Sequence, residues 1–559
     1  MISGSSRWEV LIGDAAEVLK ALPEGSVSTV VTSPPYYSLR AYDTEQWEGG
    51  DESCEHSSSP ARGGRGGSGP NSKNGSDEQY PSEVPDRVCE KCGARRVDTQ
   101  LGVEPLHDCR RWATGGKNWE LCGGCYVCGL TRVMREVWRV LRDDGVCLIN
   151  IGDSYAGSGR GLYGDGTSHG TDGAKQLSNR GSIGVSTTGP KVPCGLKPKD
   201  LMAIPWRVGL ALQADGWWLR APLVWAKGAS FGSERAQARE AQLVQALMDA
   251  GVEVPDLGDG EAEGYVGNSM PGSQRDRPTL THEHVLLLSK NERYYWDWFA
   301  VREASLPDSQ KRIQQRTFDE QQGGERDYGT SGVNPNNSAR KALENWASTG
   351  GTHRQLRSVW CINTQPCDWE FCGACGTLFE GRERSRIEKR KVCNEETGKD
   401  KTVRVCPCGA TNDWVDHYAL MAPRLAEVCV AAGSPEVTCG KCGAPWVREV
   451  KREPMEISRS GRGDAIGADI GRTQPSGTMT KPPRCEMLGW KPSCVCSPSD
   501  PSGRGVVLDP FSGSATTGVA ALAAGRDYIG SDLSENYSRV GQARLARVER
   551  RALPEADDL

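Results

Sequence analysis

Short apolar runs and longer amphipathic stretches alternate along much of the chain. Runs bounded by polar or turn-forming residues, typical of β-strands, occupy positions 8–14, 27–33, 146–152, 217–225, 283–289, 357–362, 505–509 and 527–531. Stretches with the apolar periodicity of helices occupy positions 131–141, 200–214, 419–432, 516–524 and 534–549. Such alternation predicts an α/β fold, in which helices cover a parallel sheet.

Segments poor in apolar residues interrupt this alternation. Gly/Ser-rich stretches at 57–77 and 156–190 and a mixed-charge stretch at 455–480 cannot build a core, so they predict loops or disordered inserts. The stretch 229–262, rich in Ala, Gln and Glu, predicts a small helical insert. The predicted core is therefore divided along the chain.

Composition narrows the class of protein. The chain has 559 residues, 37% of them hydrophobic, which is enough for roughly two to four domains. No run approaches the roughly 20 apolar residues that span a bilayer, and the first residues lack the pattern of a secretion signal. We therefore expect a cytoplasmic protein with no membrane contact. The net charge of −5 excludes a wholly basic surface, so any contact with nucleic acid must come from local patches.

The first motif with chemical content is Thr32-Ser33-Pro34-Pro35-Tyr36, directly after an apolar run. The two prolines fix a rigid turn and offer no N–H, which predicts unpaired carbonyl acceptors at the end of a strand. Methylation of an aromatic amine needs such acceptors, because hydrogen bonds from its N–H groups localise the nitrogen lone pair. We expect the Ser33 hydroxyl and the Pro34 carbonyl to accept them, with Tyr36 stacked on the base. The alternative is a turn that only closes a strand.

The second motif extends from Val506 to Gly518 and is followed by the run 528–532. It predicts a strand, a glycine-containing turn, a helix and a second strand that ends in an acid. Asp532 follows Asp509 at close to the roughly 20 residues expected before a ribose-binding acid. The turn matches neither phosphate-binding glycine pattern, so a cofactor with ribose and no phosphate, such as S-adenosylmethionine, fits better. An ordinary βαβ unit is the alternative.

Together these residues resemble the amino-methylating DNA methyltransferases (DNA methylase N-4/N-6 family), and within them the β group, in which the SPPY turn precedes the cofactor loop. The resemblance extends over most of the chain, through segments 13–14, 32–36, 148–155, 216–227, 282–297, 358–362, 417–423 and 509–532. It implies a Rossmann-like fold with a mostly parallel seven-stranded sheet and one reversed strand. It also implies a base flipped out of double-stranded DNA, with the methyl group passing directly from sulfonium to nitrogen.

Site residues follow from the same resemblance. The catalytic residues it implies are Ser33, Pro34, Pro35 and Tyr36. The cofactor-binding residues it implies are Asp14, Asp509, Pro510, Phe511, Gly513, Ser514, Thr516, Thr517 and Asp532. Asp14 would contact the adenine and Asp532 the ribose, while the segment 417–423 would close over the methionine moiety. Ala515 stands where the family usually has Gly, a departure that we expect cofactor binding to tolerate.

The prediction of the acceptor atom depends on one residue, the one that precedes the Pro-Pro pair. In the family, Ser before the Pro-Pro pair goes mostly with cytosine, and Asp or Asn mostly with adenine. Ser33 therefore favours cytosine N4 over adenine N6. Either base presents the same NH2 geometry, so the physical argument for this preference is weaker than the argument from the family pattern. Other acceptors, in RNA or on protein glutamine, remain open.

The 22 cysteines predict structural zinc, because a chain without an export signal more often uses paired thiols as metal ligands than as disulfides. Four groups offer tetrahedral sets: Cys54 and His56 with Cys89 and Cys92; Cys109 with Cys122, Cys125 and Cys128; Cys372 and Cys375 with Cys406 and Cys408; Cys439 and Cys442 with Cys494 and Cys496. We expect three or four zinc ions. In the second group, Cys122–Cys128 could instead share ligands with Cys89 and Cys92, and reduced surface thiols are the general alternative.

The predicted organisation follows. Core segments are 1–50, 131–154, 196–228, 268–300, 357–365, 413–433 and 501–550. Zinc-binding segments are 51–130, 366–412 and 434–500. The remaining segments are a Gly-rich flexible loop at 155–195, an insert at 229–267 and a target-recognition region at 301–356. The basic run 382–404 favours phosphate contact, with a solvated loop as the alternative.

The sequence thus predicts a site-specific DNA methyltransferase of a restriction or modification system in a bacterium or phage, acting as a monomer or homodimer. A zinc-ribbon DNA-binding protein with a degenerate methylase core is the alternative from another class. Intact Ser33, Gly513 and Asp532 favour the enzyme.

Overall fold

The structure is a computed structural model. It describes residues 6–37, 46–49, 51, 54, 87–88, 91–92, 94–97, 101, 110–156, 196–197, 199–227, 276–304, 353–365, 367–393, 400–411, 413–415, 421–453, 456–459, 477–481 and 484–552. Most of the predicted loop at 155–195, the insert at 229–267 and most of the region at 301–356 lie outside these residues.

An eight-stranded sheet forms the core of the described residues. Its strands, in chain order, are β1 (Trp8–Ile12), β2 (Val27–Thr32), β3 (Leu141–Ile151), β4 (Trp218–Ala226), β5 (His282–Ser289), β6 (Val359–Cys361), β7 (Val506–Asp509) and β8 (Asp527–Asp532). They lie in the order β1-β8-β7-β2-β3-β5-β4-β6. All neighbours are parallel except the two pairs made by β5, with β3 and with β4. The α/β class with one reversed strand is confirmed. The sheet has one strand more than the seven expected, because the short β6 extends the edge beyond β4.

Helices cover both faces of this sheet. They are α1 (Ala15–Val18), α2 (Tyr126–Val140), α3 (Ile204–Ala214), α4 (Pro423–Gly433), α5 (Thr516–Ala523) and α6 (Glu535–Ala552), together with the short helix Trp112–Gly115 and the 3-10 turns Leu19–Ala21 and Gly381–Arg386. Helices α1 to α3 pack in one apolar cluster and α4 to α6 in the other. Successive residues of β3 alternate between the two clusters, as expected of a strand buried on both faces.

Helix α2 begins at Tyr126, before the predicted start at 131. Tyr126, Val127 and Leu130 are buried in the core, although the sequence assigns them to a zinc-binding segment. The other four predicted helices agree with α3 to α6 within a few residues. None of the helices in the described ranges is long and apolar enough to cross a membrane.

Small β-structures lie outside the main sheet. Their strands are Gln46–Glu48, Arg87–Val88, Arg95–Val97, Glu303–Ala304, His353–Arg354, Trp369–Cys372, Leu378–Glu380, Glu388–Cys393, Asp400–Val405, Trp414–Val415, Trp446–Glu453, Glu456–Arg459, Gly477–Lys481 and Arg484–Pro492. We name residues 367–415 the first ribbon and residues 434–503 the second ribbon. The strand Trp414–Val415 falls in the predicted core segment 413–433 but pairs with Trp369–Cys372 of the first ribbon.

Candidate functional site

The SPPY turn follows β2 at the carboxyl edge of the sheet, between the ends of β7 and β3. Pro34 is buried and Ser33 is partly exposed. The hydroxyl of Tyr126, in α2, donates a hydrogen bond to the Pro35 carbonyl at 2.9 Å. One acceptor of the turn is therefore used to hold it against α2, which leaves Ser33 and the Pro34 carbonyl as the candidates to bind an amine.

A buried hydrogen bond joins this turn to the second motif. The Thr32 hydroxyl, at the end of β2, donates to the Asp509 carboxylate, at the end of β7, at 2.6 Å. The Phe511 amide donates to the same oxygen at 3.1 Å. Asp509 is 4% exposed, and burial raises its pKa to about 6. Its carboxylate therefore fixes the start of the cofactor loop from inside the protein.

Asp532 organises the other side of that loop. Its carboxylate accepts hydrogen bonds from the amides of Gly513 at 2.7 Å and Ser534 at 2.8 Å, and its carbonyl accepts one from the Gly13 amide at 3.0 Å. Burial raises the pKa of Asp532 to about 6. The loops after β1, β7 and β8 thus converge on one residue, at the position where the sequence predicts a ribose-binding acid.

Ala515 ends the cofactor loop in an unusual backbone conformation. Its φ of 58° lies in the left-handed region, where a Cβ costs roughly 1–2 kcal/mol. The family's usual Gly has no such cost. Thr516 and Thr517 follow as the first, buried turn of α5. The methyl group of Ala515 is fully buried against α6, so the departure from Gly is accommodated by packing.

Arg544, to which the sequence motifs assign no role, supports the cofactor loop from α6. Its guanidinium donates to the carbonyl of Ser514 at 2.5 Å and to the hydroxyl of Thr516 at 3.2 Å. The residue is 8% exposed and lies 5.7 Å from the Trp369 ring of the first ribbon. A charged residue among the buried Val540 and Leu545 of an amphipathic helix is the signal that could have identified it.

Asp14 is the N-cap of α1 and follows β1. Its side chain accepts a hydrogen bond from the Glu17 amide at 3.2 Å and pairs with Arg132 at 2.9 Å. The predicted contact to adenine remains a prediction. Of the segment predicted to close over methionine, residues 417–420 lie outside the described part of the chain.

Behind the turn lies a polar cluster that the sequence did not single out. The Tyr36 hydroxyl donates to the Glu283 carboxylate, and the Asn150 amide donates to the Tyr36 oxygen at 2.8 Å and to Glu283 at 3.0 Å. Lys227 pairs with the second oxygen of Glu283. The signal was available, because Asn150 and Glu283 are polar residues within apolar strands.

The cysteines of both ribbons meet as predicted. Cys372, Cys375, Cys406 and Cys408 form one group and Cys439, Cys442, Cys494 and Cys496 another, and in each the sulfur atoms lie within 4.8 Å of one another. The Sγ distances are 3.8 Å between Cys372 and Cys408 and 3.7 Å between Cys375 and Cys406. A tetrahedral zinc ion with Zn–S bonds of about 2.3 Å requires sulfur separations of about 3.8 Å. The sulfur spacing of the first group is therefore compatible with a tetrahedral zinc ion.

The remaining predicted groups are described only in part. Cys122, Cys125 and Cys128 come together at the start of α2, with their sulfur atoms within 4.8 Å. Their proposed fourth ligand, Cys109, lies outside the described residues, as do His56 and Cys89. Cys54 and Cys92 are described. Cys147 and Cys429, which belong to none of the predicted groups, are buried in the core.

Ion pairs and hydrogen bonds attach each ribbon to the core. In the first ribbon, the Gly373 carbonyl accepts from Arg539 of α6 at 2.7 Å, and Glu383 pairs with Arg547 at 2.7 Å. In the second ribbon, Arg448 pairs with the buried Asp297 at 2.7 Å.

A family profile described as DNA methylase matches residues 27–436 and 494–543. The chain is 29% identical to the type II methyltransferase M.Cfr9I of Citrobacter freundii over 54% of this chain and 60% of that protein. It is 27% identical to M.XycI of Xanthomonas campestris pv. cyanopsidis over 68% of this chain and 70% of that protein. It is 25% identical to M.SfiI of Streptomyces fimbriatus over 95% and 89% of the two chains. The matched region thus spans less than two thirds of the Citrobacter relative.

Solved structures give a weaker similarity. The PvuII DNA methyltransferase (cytosine-N4-specific) aligns with a TM-score of 0.34 and 12% identity over 98% of this chain and 92% of that chain. A DNA modification methylase from Thermus thermophilus, complexed with S-adenosyl-L-methionine, aligns with a TM-score of 0.32 and 12% identity over 97% and 93%.

We predict that Asp509→Asn removes part of the pH dependence of stability. Burial raises the pKa of Asp509 from 3.8 to about 6, so between these pH values the folded state keeps a proton that the unfolded state releases. This group therefore makes the free energy of unfolding fall as pH rises through that window, by about 3 kcal/mol in all. Urea unfolding from pH 4 to pH 7 should show a smaller decrease for the variant.

Glu383→Gln is a control for which the change of stability with pH should have the opposite sign. Arg547 lowers the pKa of Glu383 to about 2, so the wild type should gain stability over this variant as pH rises from about 2 to 4.5. If the free energies of unfolding of the wild type and Asp509→Asn change in parallel with pH, the pKa of Asp509 is not raised.

Proposed function

Since the chain belongs to the family of N4/N6 amino-methylating DNA methylases, we propose that it is a site-specific DNA methyltransferase of a restriction or modification system. It transfers a methyl group from S-adenosylmethionine to an exocyclic amino group in double-stranded DNA, with cytosine N4 as the favoured acceptor. The observation that carries this proposal is the Thr32–Asp509 hydrogen bond, which sets the SPPY turn beside the cofactor loop at one edge of the sheet.

The cofactor would be held by the loops that Asp532 joins. Each oxygen of this carboxylate accepts one amide and retains a lone pair, which suits the ribose hydroxyls. Gly513, with a φ of 51°, lets the backbone come close to the cofactor. Bound S-adenosylmethionine supplies an electrophilic methyl group.

The turn would act on the amine. A base flipped out of the duplex would donate its two N–H groups to the Ser33 hydroxyl and the Pro34 carbonyl, which localises the nitrogen lone pair. Ser33 and the Pro34 carbonyl would hold the nitrogen for attack on the methyl group, and the electron pair of the C–S bond would stay on sulfur. One amine proton then leaves to solvent. In this scheme Tyr36 stacks on the base.

We further propose that the ribbons bind structural zinc and contact DNA. Four thiolates complete a tetrahedral shell and leave no open position for water, so zinc at these sites would stabilise the insert and take no part in methyl transfer. In the first ribbon, the hairpin of Glu388–Cys393 and Asp400–Val405 exposes Lys389, Arg390 and Lys391, which suit contact with phosphates.

A division of labour between the two motifs is testable. We predict that Ser33→Ala and Tyr36→Ala lose methylation but retain affinity for S-adenosylmethionine. Asp532→Ala should weaken cofactor binding by about 10- to 100-fold, because it removes charge-assisted hydrogen bonds worth about 1.5–3 kcal/mol. Calorimetric titration and a methyl-transfer assay separate these effects. Ser26→Ala, at the opposite end of β2, is the matched control. Equal loss of cofactor binding in all three site variants would contradict the division.

Metal content tests the ribbons. We predict three or four zinc ions per chain, in protein purified without chelator and measured by elemental analysis. Replacing both Cys406 and Cys408 by Ser should remove one ion and destabilise the first ribbon, because thiolate–zinc bonds contribute to its folding. Cys361→Ser, an exposed cysteine outside the groups, should leave the count unchanged. Fewer than two ions per chain would exclude the ribbon assignment.

The acceptor atom is tested on the product. We predict N4-methylcytosine in DNA treated with the protein and S-adenosylmethionine, detected by nucleoside mass spectrometry. Ser33 is the basis for cytosine. N6-methyladenine alone would reverse the acceptor and retain the enzyme class, whereas no methylated nucleoside on any DNA would contradict the proposed function.

A further inference from the structure

A carboxylate without free access to solvent lies directly behind the catalytic turn. Glu283 is 8% exposed and receives hydrogen bonds from Tyr36 and Asn150 on one oxygen and from Lys227 on the other. Asn150 also donates to the Tyr36 oxygen at 2.8 Å. The Tyr36 hydroxyl is therefore held by two side chains at once.

The sheet topology explains how these groups meet. Asn150 lies near the carboxyl end of β3, and Lys227 directly follows β4. Glu283 belongs to β5, the reversed strand, so its beginning lies at the edge where its neighbours end. Three strands thus direct polar side chains to the one point at which the turn places Tyr36.

The ring of Tyr36 is fixed as well as its hydroxyl. A Cβ on Gly152 would lie 2.6 Å from Cε2 of this ring, so the backbone of Gly152 is packed against it. Glycine at this position leaves the space that the ring occupies. Contact along the ring and hydrogen bonds at its hydroxyl together determine the plane of the aromatic face.

The cluster is unfavourable for the stability of the fold. Burying the Glu283 carboxylate costs several kcal/mol before its attraction to Lys227, whose side chain is 26% exposed, is counted. The Asn150 carbonyl oxygen is buried and has no hydrogen-bond partner among the described residues, which adds a desolvation cost. Apolar residues would fill the same volume at less cost, so stability does not account for this arrangement.

We propose that Glu283 is a positioning residue for methyl transfer, which acts by orienting Tyr36 through its hydroxyl group. The inference rests on the proposed function, in which Tyr36 stacks on the flipped base. A charge-assisted hydrogen bond is stronger than a neutral one, so a carboxylate restrains the tyrosine more tightly than an amide would. Lys227 balances the charge that this requires, and Asn150 adds the second restraint.

A double-mutant cycle tests the proposal. In the full-length protein, Glu283→Gln should lower kcat on the order of 10- to 100-fold, the effect expected of a slightly misplaced group, with unchanged affinity for S-adenosylmethionine. In the Tyr36→Phe background the same substitution should lower kcat little further, because the hydroxyl through which Glu283 acts is gone. A merely structural role would reduce activity equally in both backgrounds.

Two further variants keep the test decisive. Glu283→Asp retains the charge opposite Lys227 while withdrawing the carboxylate from Tyr36, so it should show the same dependence on the Tyr36 hydroxyl even where Glu283→Gln folds poorly. Asp297→Asn neutralises another buried acid, paired with Arg448 and remote from the turn, and should retain near wild-type kcat with lower stability.

The outcomes separate the two proposals. If the wild type is active and the two losses of kcat multiply in the double variant, the positioning role of Glu283 is overturned and the proposed function stands. A wild type that methylates no DNA overturns the proposed function and this inference with it. Strong coupling between Glu283 and Tyr36 supports both.

Discussion

The hydrogen bond between Thr32 and Asp509 is the contact on which the site depends. It joins the ends of β2 and β7, which lie side by side in the sheet although nearly the whole chain separates them in sequence. Because the bond is buried, it is stronger than its equivalent in water, and losing Asp509 would leave the Thr32 hydroxyl without this partner. The inserts can therefore vary in length without moving the SPPY turn relative to the cofactor loop.

The sheet could be predicted from the sequence because its central strands are buried on both faces. A continuous apolar run such as that in β3 predicts a strand from local sequence, and the resemblance implies a mostly parallel sheet with one reversed strand. The start of α2 was not predicted, because Cys122, Cys125 and Cys128 have a metal-ligand spacing that was assigned to a zinc-binding segment. The short β6 was predicted as the run 357–362, and only its length differs, because three of those residues pair with β4.

The site residues also fall into two groups, those that a local motif identifies and those that only the fold brings together. Ser33, Gly513 and Asp532 stand in motifs that local spacing reveals, and the structure places all three at the carboxyl edge of the sheet. Glu283 and Lys227 were not predicted, because each acquires its partner only when strands from distant segments pair. Sequence shows that such residues interrupt an apolar run. It does not show which groups they meet.

Arg544 connects the first ribbon to the loop between β7 and α5. Its buried guanidinium holds Ser514 and Thr516, and burial lowers its pKa, while Glu380 and Asp368 of the first ribbon oppose that shift. A buried cation depends on such compensating charge, since removal of its partners costs several kcal/mol. The acids that compensate Arg544 keep their places only while the first ribbon is folded. The first ribbon and the loop between β7 and α5 are therefore parts of one electrostatic arrangement.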